Sequence, residues 1–431
     1  MRRILPILFL NILTGVCLIA QPEVHSLTLK EAIEIALKQN PDVLMAKLEE
    51  QRAEKNLIIQ KDPFFPKVFA GSGGAWTSGY PQTIDGNAPS VVQARVLMSL
   101  YNRPQSLRVA QARENQRTAA LESSSTFDDS IYEVALRYLE ADQGARSLDL
   151  QKKQADSLEK ILKGIEAKLE DGRALPVDQK KADLDLAVAR DKTLELQLNQ
   201  ETNELTLASL LGYPAGDTVH PATEERRTWM LPDTEDAALT NAYQSSKSLK
   251  VLESKMQAKR LEVKSYKAEW LPQIDLVAQY ALLAHYNYAD SFKSFQPNNG
   301  ELGASLKIPL LVGPAGKAYA SQAELDIAKL RIQVQQTRSR IQTNVHQAYQ
   351  DLRRAESARD VSRKAVEWAQ EQLRVLMERY EAGRTPLKDV EEGRLVENEK
   401  WLQYFANDNL VERARLLVLK SSGTLAAALR Q

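Results

Sequence analysis

Between Ala323 and Tyr380 apolar residues return every three or four positions. The series runs Ala323, Ile327, Leu330, Val334, Ile341, Val345, Ala348, Leu352, Ala355, Val366, Ala369, Leu373, Leu376 and Tyr380. This spacing holds one narrow stripe on one side of a helix and predicts a coiled-coil seam. The positions between are mostly Gln, Arg, Glu and Lys, and the alanines of the stripe permit close helix approach. The helix is predicted over about 315–382 and at ~1.5 Å per residue would span ~100 Å. So long a helix with so narrow a stripe builds no globular core, and must lie against other helices in a bundle or sheet.

A second period, of two residues, marks four short segments. Ile274, Leu276, Ala278, Tyr280 and Leu282 alternate with Gln273, Asp275, Val277 and Gln279. Leu302, Ala304, Leu306, Ile308 and Leu310 alternate with Glu301, Gly303, Ser305 and Lys307, and Val92, Ala94, Val96, Met98 and Leu100 with Gln93, Arg95 and Ser99. The fourth segment, 65–76, contains Gly71, Gly73 and Gly74 and alternates less cleanly. Strands of about ten residues with one apolar and one polar face are the pattern of outer-membrane barrels. A half-buried sheet in a soluble domain has the same alternation. Strands joined to ~100 Å helices, however, have no soluble layer to cover them, whereas lipid would. The strands are predicted at about 64–77, 91–101, 271–286 and 300–311. Interfacial aromatics are expected at Phe64, Tyr101 and Trp270 on one side and Trp76, Tyr80, Tyr286 and Tyr288 on the other. The loops 77–90 and 284–300 would then face the exterior. Open edges are not tolerated in a bilayer, and bacterial barrels begin at about eight strands. Four strands cannot close, but three chains supply twelve, which predicts a homotrimer in contact with outer-membrane lipid.

These elements occur twice. Lys168–Asp178 and Arg379–Asp389 share a Gly-Arg pair, Gly172-Arg173 and Gly383-Arg384, followed by Asp178 and Asp389 at the same offset. Pro66 corresponds to Pro272 and Pro104 to Pro314. Each copy predicts a helix of about 35 residues (28–62, 235–269), a hairpin, a very long helix (104–171, 315–382), the Gly-Arg turn and a further helix (175–211, 386–422). The chain divides into a leader at 1–20, a first repeat at 21–212, an equatorial linker at 213–233 and a second repeat at 234–431.

The leader follows from Arg2 and Arg3 preceding the run Ile4–Ala20, which is broken only by Pro6, Asn11, Thr14 and Gly15. This is a secretory signal, with cleavage expected near Ala20. Cys17 is an alternative lipidation site, although Val16 and Thr14 depart from the residues a lipoprotein signal uses. No other run approaches the ~18 apolar residues of a spanning helix, so if the mature chain enters a membrane it must do so as strands. The 431 residues include 57 basic and 57 acidic side chains. That balance argues against nucleic acid as a partner. One cysteine and four scattered histidines (His25, His220, His285, His346) offer no metal or cofactor site, and no nucleophile–base pair or phosphate loop points to an enzyme.

The run Leu27–Asp42, the strand-leading prolines and the paired Leu169/Tyr380-x-x-Gly-Arg turns, followed by Asp178 and Asp389, resemble the TolC-like outer-membrane efflux protein family over essentially the whole mature chain. The resemblance implies a mainly α fold with a transmembrane β-barrel: a trimeric twelve-stranded barrel in the outer membrane, continued by a periplasmic α-helical coiled-coil tunnel. It implies a passive exit duct working with a periplasmic adaptor (a membrane fusion protein) and an inner-membrane transporter of RND or ABC type. Small-molecule efflux of a drug, metal or metabolite is the expected use. Type I protein secretion uses the same architecture and stays open, as does a periplasmic coiled-coil spacer.

Chain tracing places both Gly-Arg turns at the tips farthest from the barrel. By resemblance Gly172, Arg173, Gly383, Arg384 and Thr385 are adaptor contacts, although a helix C-terminus calls for glycine there in any case. Asp389 and Glu392 match the family's acidic tunnel entrance, and three copies would make a ring of six carboxylates favouring cations. Asp389 equally suits its own helix N-terminus, and the first-copy counterparts, Asp178 and Lys181, depart from an all-acidic pattern.

Overall fold

The computed structural model describes residues 23–73, 90–172, 174–222, 229–283 and 298–430. In chain order the elements of the first half are β1 (Val24–Leu27), α1 (Leu29–Gln39), α2 (Pro41–Lys61), β2 (Lys67–Gly73), β3 (Ser90–Asn102), α3 (Arg103–Glu170), α4 (Pro176–Leu211) and β4 (Thr218–Pro221). The second half adds α5 (Glu235–Ser245), α6 (Lys247–Lys267), β5 (Gln273–Leu283), β6 (Asn298–Lys307), α7 (Ala315–Glu381), α8 (Leu387–Ser422) and α9 (Leu425–Arg430). The two 36-residue helices, α4 and α8, return along the distal halves of α3 and α7. The leader, Cys17 and the expected aromatics Trp76, Tyr80, Tyr286 and Tyr288 lie outside the described residues.

The two helices expected over 28–62 and 235–269 each break once. Pro41 has no N–H and drives the residue before it out of helical geometry. Asn40 accordingly adopts ψ 128°, and its Oδ1 accepts from the Asp42 and Val43 amides at 2.9 and 3.1 Å. The second copy breaks without proline: Ser246 adopts ψ 106° and caps the Leu249 amide. Each break lets an eleven-residue helix turn onto the end of the returning helix. Asn40 Nδ2 donates to Leu210 O at 2.7 Å. Gly212 (φ +84°) and Gly423 (φ +73°) end α4 and α8 in left-handed geometry, and a Cβ on Gly212 would stand 2.4 Å from Gln39 O.

Whereas Ala238 and Ala242 of α5 pack separately against Val345 of α7, the broken end of the first copy meets the ends of α4 and α8 in the main core, around the middle of α3. Ile131, Val134, Ala135, Tyr138 and Leu139 of α3 pack there with Ile33, Leu207, Leu211, Leu416 and Leu419. The linker also contributes: β4 pairs in parallel with β1, a ribbon that no alternating pattern in either segment predicts. Tyr138 Oη donates to Leu27 O at 3.1 Å and pins this ribbon to α3. In the second copy Tyr349 donates to Pro232 O at 3.0 Å, bracing the chain beside α7.

Beyond this core the helices form a single layer, with α2, α3, α6 and α7 side by side near the strands and α4, α3, α8 and α7 beyond. The α7 stripe is buried at Ala323, Ile327, Val345, Ala348, Leu352, Ala355, Val366 and Ala369. The four strands form one antiparallel sheet in the order β2-β3-β5-β6, so the two hairpins join through β3 and β5. Register aligns Val68, Val96, Ala278 and Leu302 in one apolar row, with Ala94, Tyr280, Leu276 and Ala304 on the same face. No described helix is long and apolar enough to cross a membrane.

Candidate functional site at the helix tips

α3 and α7 end in the same way. Gly172 and Gly383 take φ +71° and +70°, a conformation open to glycine without a Cβ penalty. Arg384 N donates to Arg379 O at 2.8 Å and Gly383 N to Tyr380 O at 2.9 Å, which satisfies the last carbonyls of α7. Neither glycine has a neighbour within 4 Å of a would-be Cβ. Backbone geometry therefore accounts for both residues. Arg384 is exposed and Thr385 partly so. Arg173 lies outside the described residues.

The helices that restart after these turns are not equivalent. The first copy reads Leu175-Pro176, and the matching positions of the second read Pro386-Leu387. Leu175 retains an N–H, which Asp178 Oδ2 accepts at 3.1 Å. Pro386 occupies the same cap position without an N–H, and α8 has no side-chain cap. Asp389, the counterpart of Asp178, therefore has no cap amide to bind. Its partly exposed carboxylate makes no ion pair among the described residues.

Glu392 is differently placed. Its Oε1 lies 2.6 Å from Lys181 Nζ, and Lys388 stands 3.9 Å away. The Lys181 hydrogen bond holds the Glu392 carboxyl below its ordinary range. Lys181 and Glu392 occupy corresponding positions of the two copies, 211 residues apart. Two like residues there would repel; here the charges are opposite and tie α4 to α8. Of the two carboxylates expected at the entrance, each chain thus holds Asp389 without an ion pair among the described residues and Glu392 paired with Lys181.

The charged run Glu391-Glu392 with Arg394 reads from sequence as a solvated face, but Glu391 is partly buried and points into the same seam. Burial pushes its carboxyl above the ordinary carboxylate range, and Asp185 on α4 adds to the shift against the pull of Lys181, Arg394 and Lys168. Its Oε1 is buried with no hydrogen-bond partner among the described residues. Gly393 follows because α8 runs close to α7: a Cβ there would stand 2.9 Å from Leu376 Cδ1. Both residues become legible only once α3 and α7 are known to flank α8, with Lys181 at the start of α4 reaching it at the tip.

A family model described as outer membrane efflux protein matches residues 32–213 and 238–424. Protein CyaE of Bordetella pertussis is 25% identical over 367 residues, spanning 83% of this chain and 76% of that protein. The solved outer membrane channel CmeC of Campylobacter jejuni superposes with a TM-score of 0.75 at 14% identity, covering 92% of this chain and 86% of its own. The outer membrane protein VceC of Vibrio cholerae superposes at 0.71 and 16%, covering 92% and 96%.

Proposed function

The chain belongs to the outer membrane efflux protein family, and from that premise we propose that three copies close into an exit duct, fed at the helix tips by a periplasmic adaptor and an inner-membrane pump. The protein resides in the outer membrane with a periplasmic extension. One observation carries the trimer: both layers end in unpartnered edges on the same two sides. The sheet leaves β2 and β6 each with a single partner, and the helical layer ends in α2 and α4 on one side and α7 on the other. Those outer helices expose apolar residues at coiled-coil spacing, Val177, Leu184, Leu198 and Leu205 on α4 and Leu325, Ile332, Val361 and Trp368 on α7. Threefold closure sets α7 against the neighbour's α2 and α4 and β6 against its β2. It leaves no open strand edge in lipid.

At the tips, three Asp389 carboxylates supply the acidic mouth. Opening separates the α3–α4 hairpin from the α7–α8 hairpin, and the Lys181–Glu392 pair resists that separation. Gly172, Arg173, Gly383, Arg384 and Thr385 present the turns to the adaptor. The cargo is a small molecule delivered by the pump. The purified protein in mild detergent should show trimer mass and heat-modifiable migration, and should conduct in planar bilayers; a non-conducting monomer would overturn the reading. Combined Asp389→Ala and Glu392→Ala should raise conductance and reduce cation preference, and unchanged values would remove the entrance assignment. Loss of the gene should sensitise cells to dyes or metals; loss of a secreted polypeptide instead would make the cargo protein.

A further inference from the structure

We propose that Arg95 and Glu301 build a second selectivity element inside the barrel, one that accepts solutes carrying opposite charges at their two ends. It rests on the reading that three copies close the sheet with its polar face inward. On that face, register aligns Phe69, Arg95, Gln279 and Glu301 in one row across the four strands. Neighbouring strands lie about 4.8 Å apart, so Arg95 on β3 and Glu301 on β6, with β5 between them, are about 10 Å apart along the wall.

Among the described residues, the other charged groups of the face are already engaged. Lys67 pairs with Asp62, and Lys307 Nζ lies 3.2 Å from Asp275, which also accepts from Ser99 Oγ at 3.0 Å. Arg95 and Glu301 are exposed and make no ion pair among the described residues. Repeating the order β2-β3-β5-β6 three times places a charge on every second strand, alternating in sign, so the belt has no net charge to reject either ion. A guanidinium takes a carboxylate or phosphate through two parallel N–H bonds. A carboxylate about 10 Å away takes an ammonium. The solute class that satisfies both is amphoteric, with an anionic group at one end and an amine at the other.

Planar-bilayer recordings of the full-length trimer at ~0.01 M salt, where the Debye length of about 30 Å exceeds these spacings, test the proposal. Arg95→Gln should raise the cation-to-anion permeability ratio about threefold and Glu301→Gln lower it about threefold, each leaving three like charges near the lumen wall. The double variant should return close to the unsubstituted ratio. Added 8-aminooctanoate, whose charged ends match the row, should reduce current more than glycine does, and this excess should disappear in either single variant. Conducting variants with unshifted permeability and unchanged 8-aminooctanoate block would overturn the proposal alone. If the unsubstituted protein forms no channel, the closed-barrel reading fails and the proposal falls with it.

Discussion

Replacing Lys181 with Met removes the charge that ties α4 to α8 while keeping an unbranched side chain of similar reach. The pair is short at 2.6 Å, but its side chains are 38% and 53% exposed, so solvent screens it. Exposed ion pairs contribute about 0.2–1 kcal/mol. If the three tips open together, three such links sum to roughly 1.5 kcal/mol, which is about tenfold in the ratio of open to closed mouths. Single-channel recording at 0.1 M KCl should show that increase for Lys181→Met and for Glu392→Gln, with little further gain when the two are combined. At 1 M KCl, where the Debye length falls to about 3 Å, the difference should shrink. Acid should act in the same direction as the substitutions. The Glu392 carboxyl is held below its ordinary value, so its contribution is present at neutral pH and is lost as pH falls through that depressed value. Exchanging the charges, Lys181→Glu with Glu392→Lys, should restore the unsubstituted open fraction. Unchanged opening in both single variants at 0.1 M salt, or a swap that fails to restore closure, would show that the pair does not latch the mouth.

Other sites give independent tests. Asn40→Ala removes a cap and the donor to Leu210 O and should cost about 2–4 kcal/mol; Asn40→Ser should recover part of that, read from thermal loss of helical circular dichroism. Gly172→Ala meets only the left-handed backbone penalty, about 1–2 kcal/mol, whereas Gly212→Ala adds a clash with Gln39 O and should cost about 2–5 kcal/mol by the same measurement. Glu391→Gln should stabilise the tips at neutral pH: a raised carboxyl value means that ionisation opposes the folded state. That advantage should vanish as pH falls through the raised value, followed by hydrogen exchange of α8. Leu302→Arg, on the apolar face and 79% exposed, should cost about 2–4 kcal/mol at mid-membrane and deplete the heat-modifiable trimer in outer-membrane fractions.

The amino-acid sequence alone determined the elements whose cause is local. The three-and-four stripe from Ala323 fixes α7, alternation from Ile274 fixes β5 and its lipid face, and the glycines at 172 and 383 fix the turns because a left-handed cap penalises a Cβ. The swap of Leu175-Pro176 for Pro386-Leu387 was also visible, but its meaning depended on cap geometry: only the free Leu175 amide gives Asp178 a partner. The break at Ser246 carried no proline to announce it, and β4 exists only because β1, nearly two hundred residues earlier, offers it an edge. Tertiary structure likewise decided the charge state of the tips. Lys181 and Glu392 are each unremarkable in sequence, and their attraction arises because the packed helices bring corresponding positions of the two copies together, with Nζ 2.6 Å from Oε1. Propensities and caps act within one turn of chain, whereas ion pairing falls steeply with a distance that only the packed helices set.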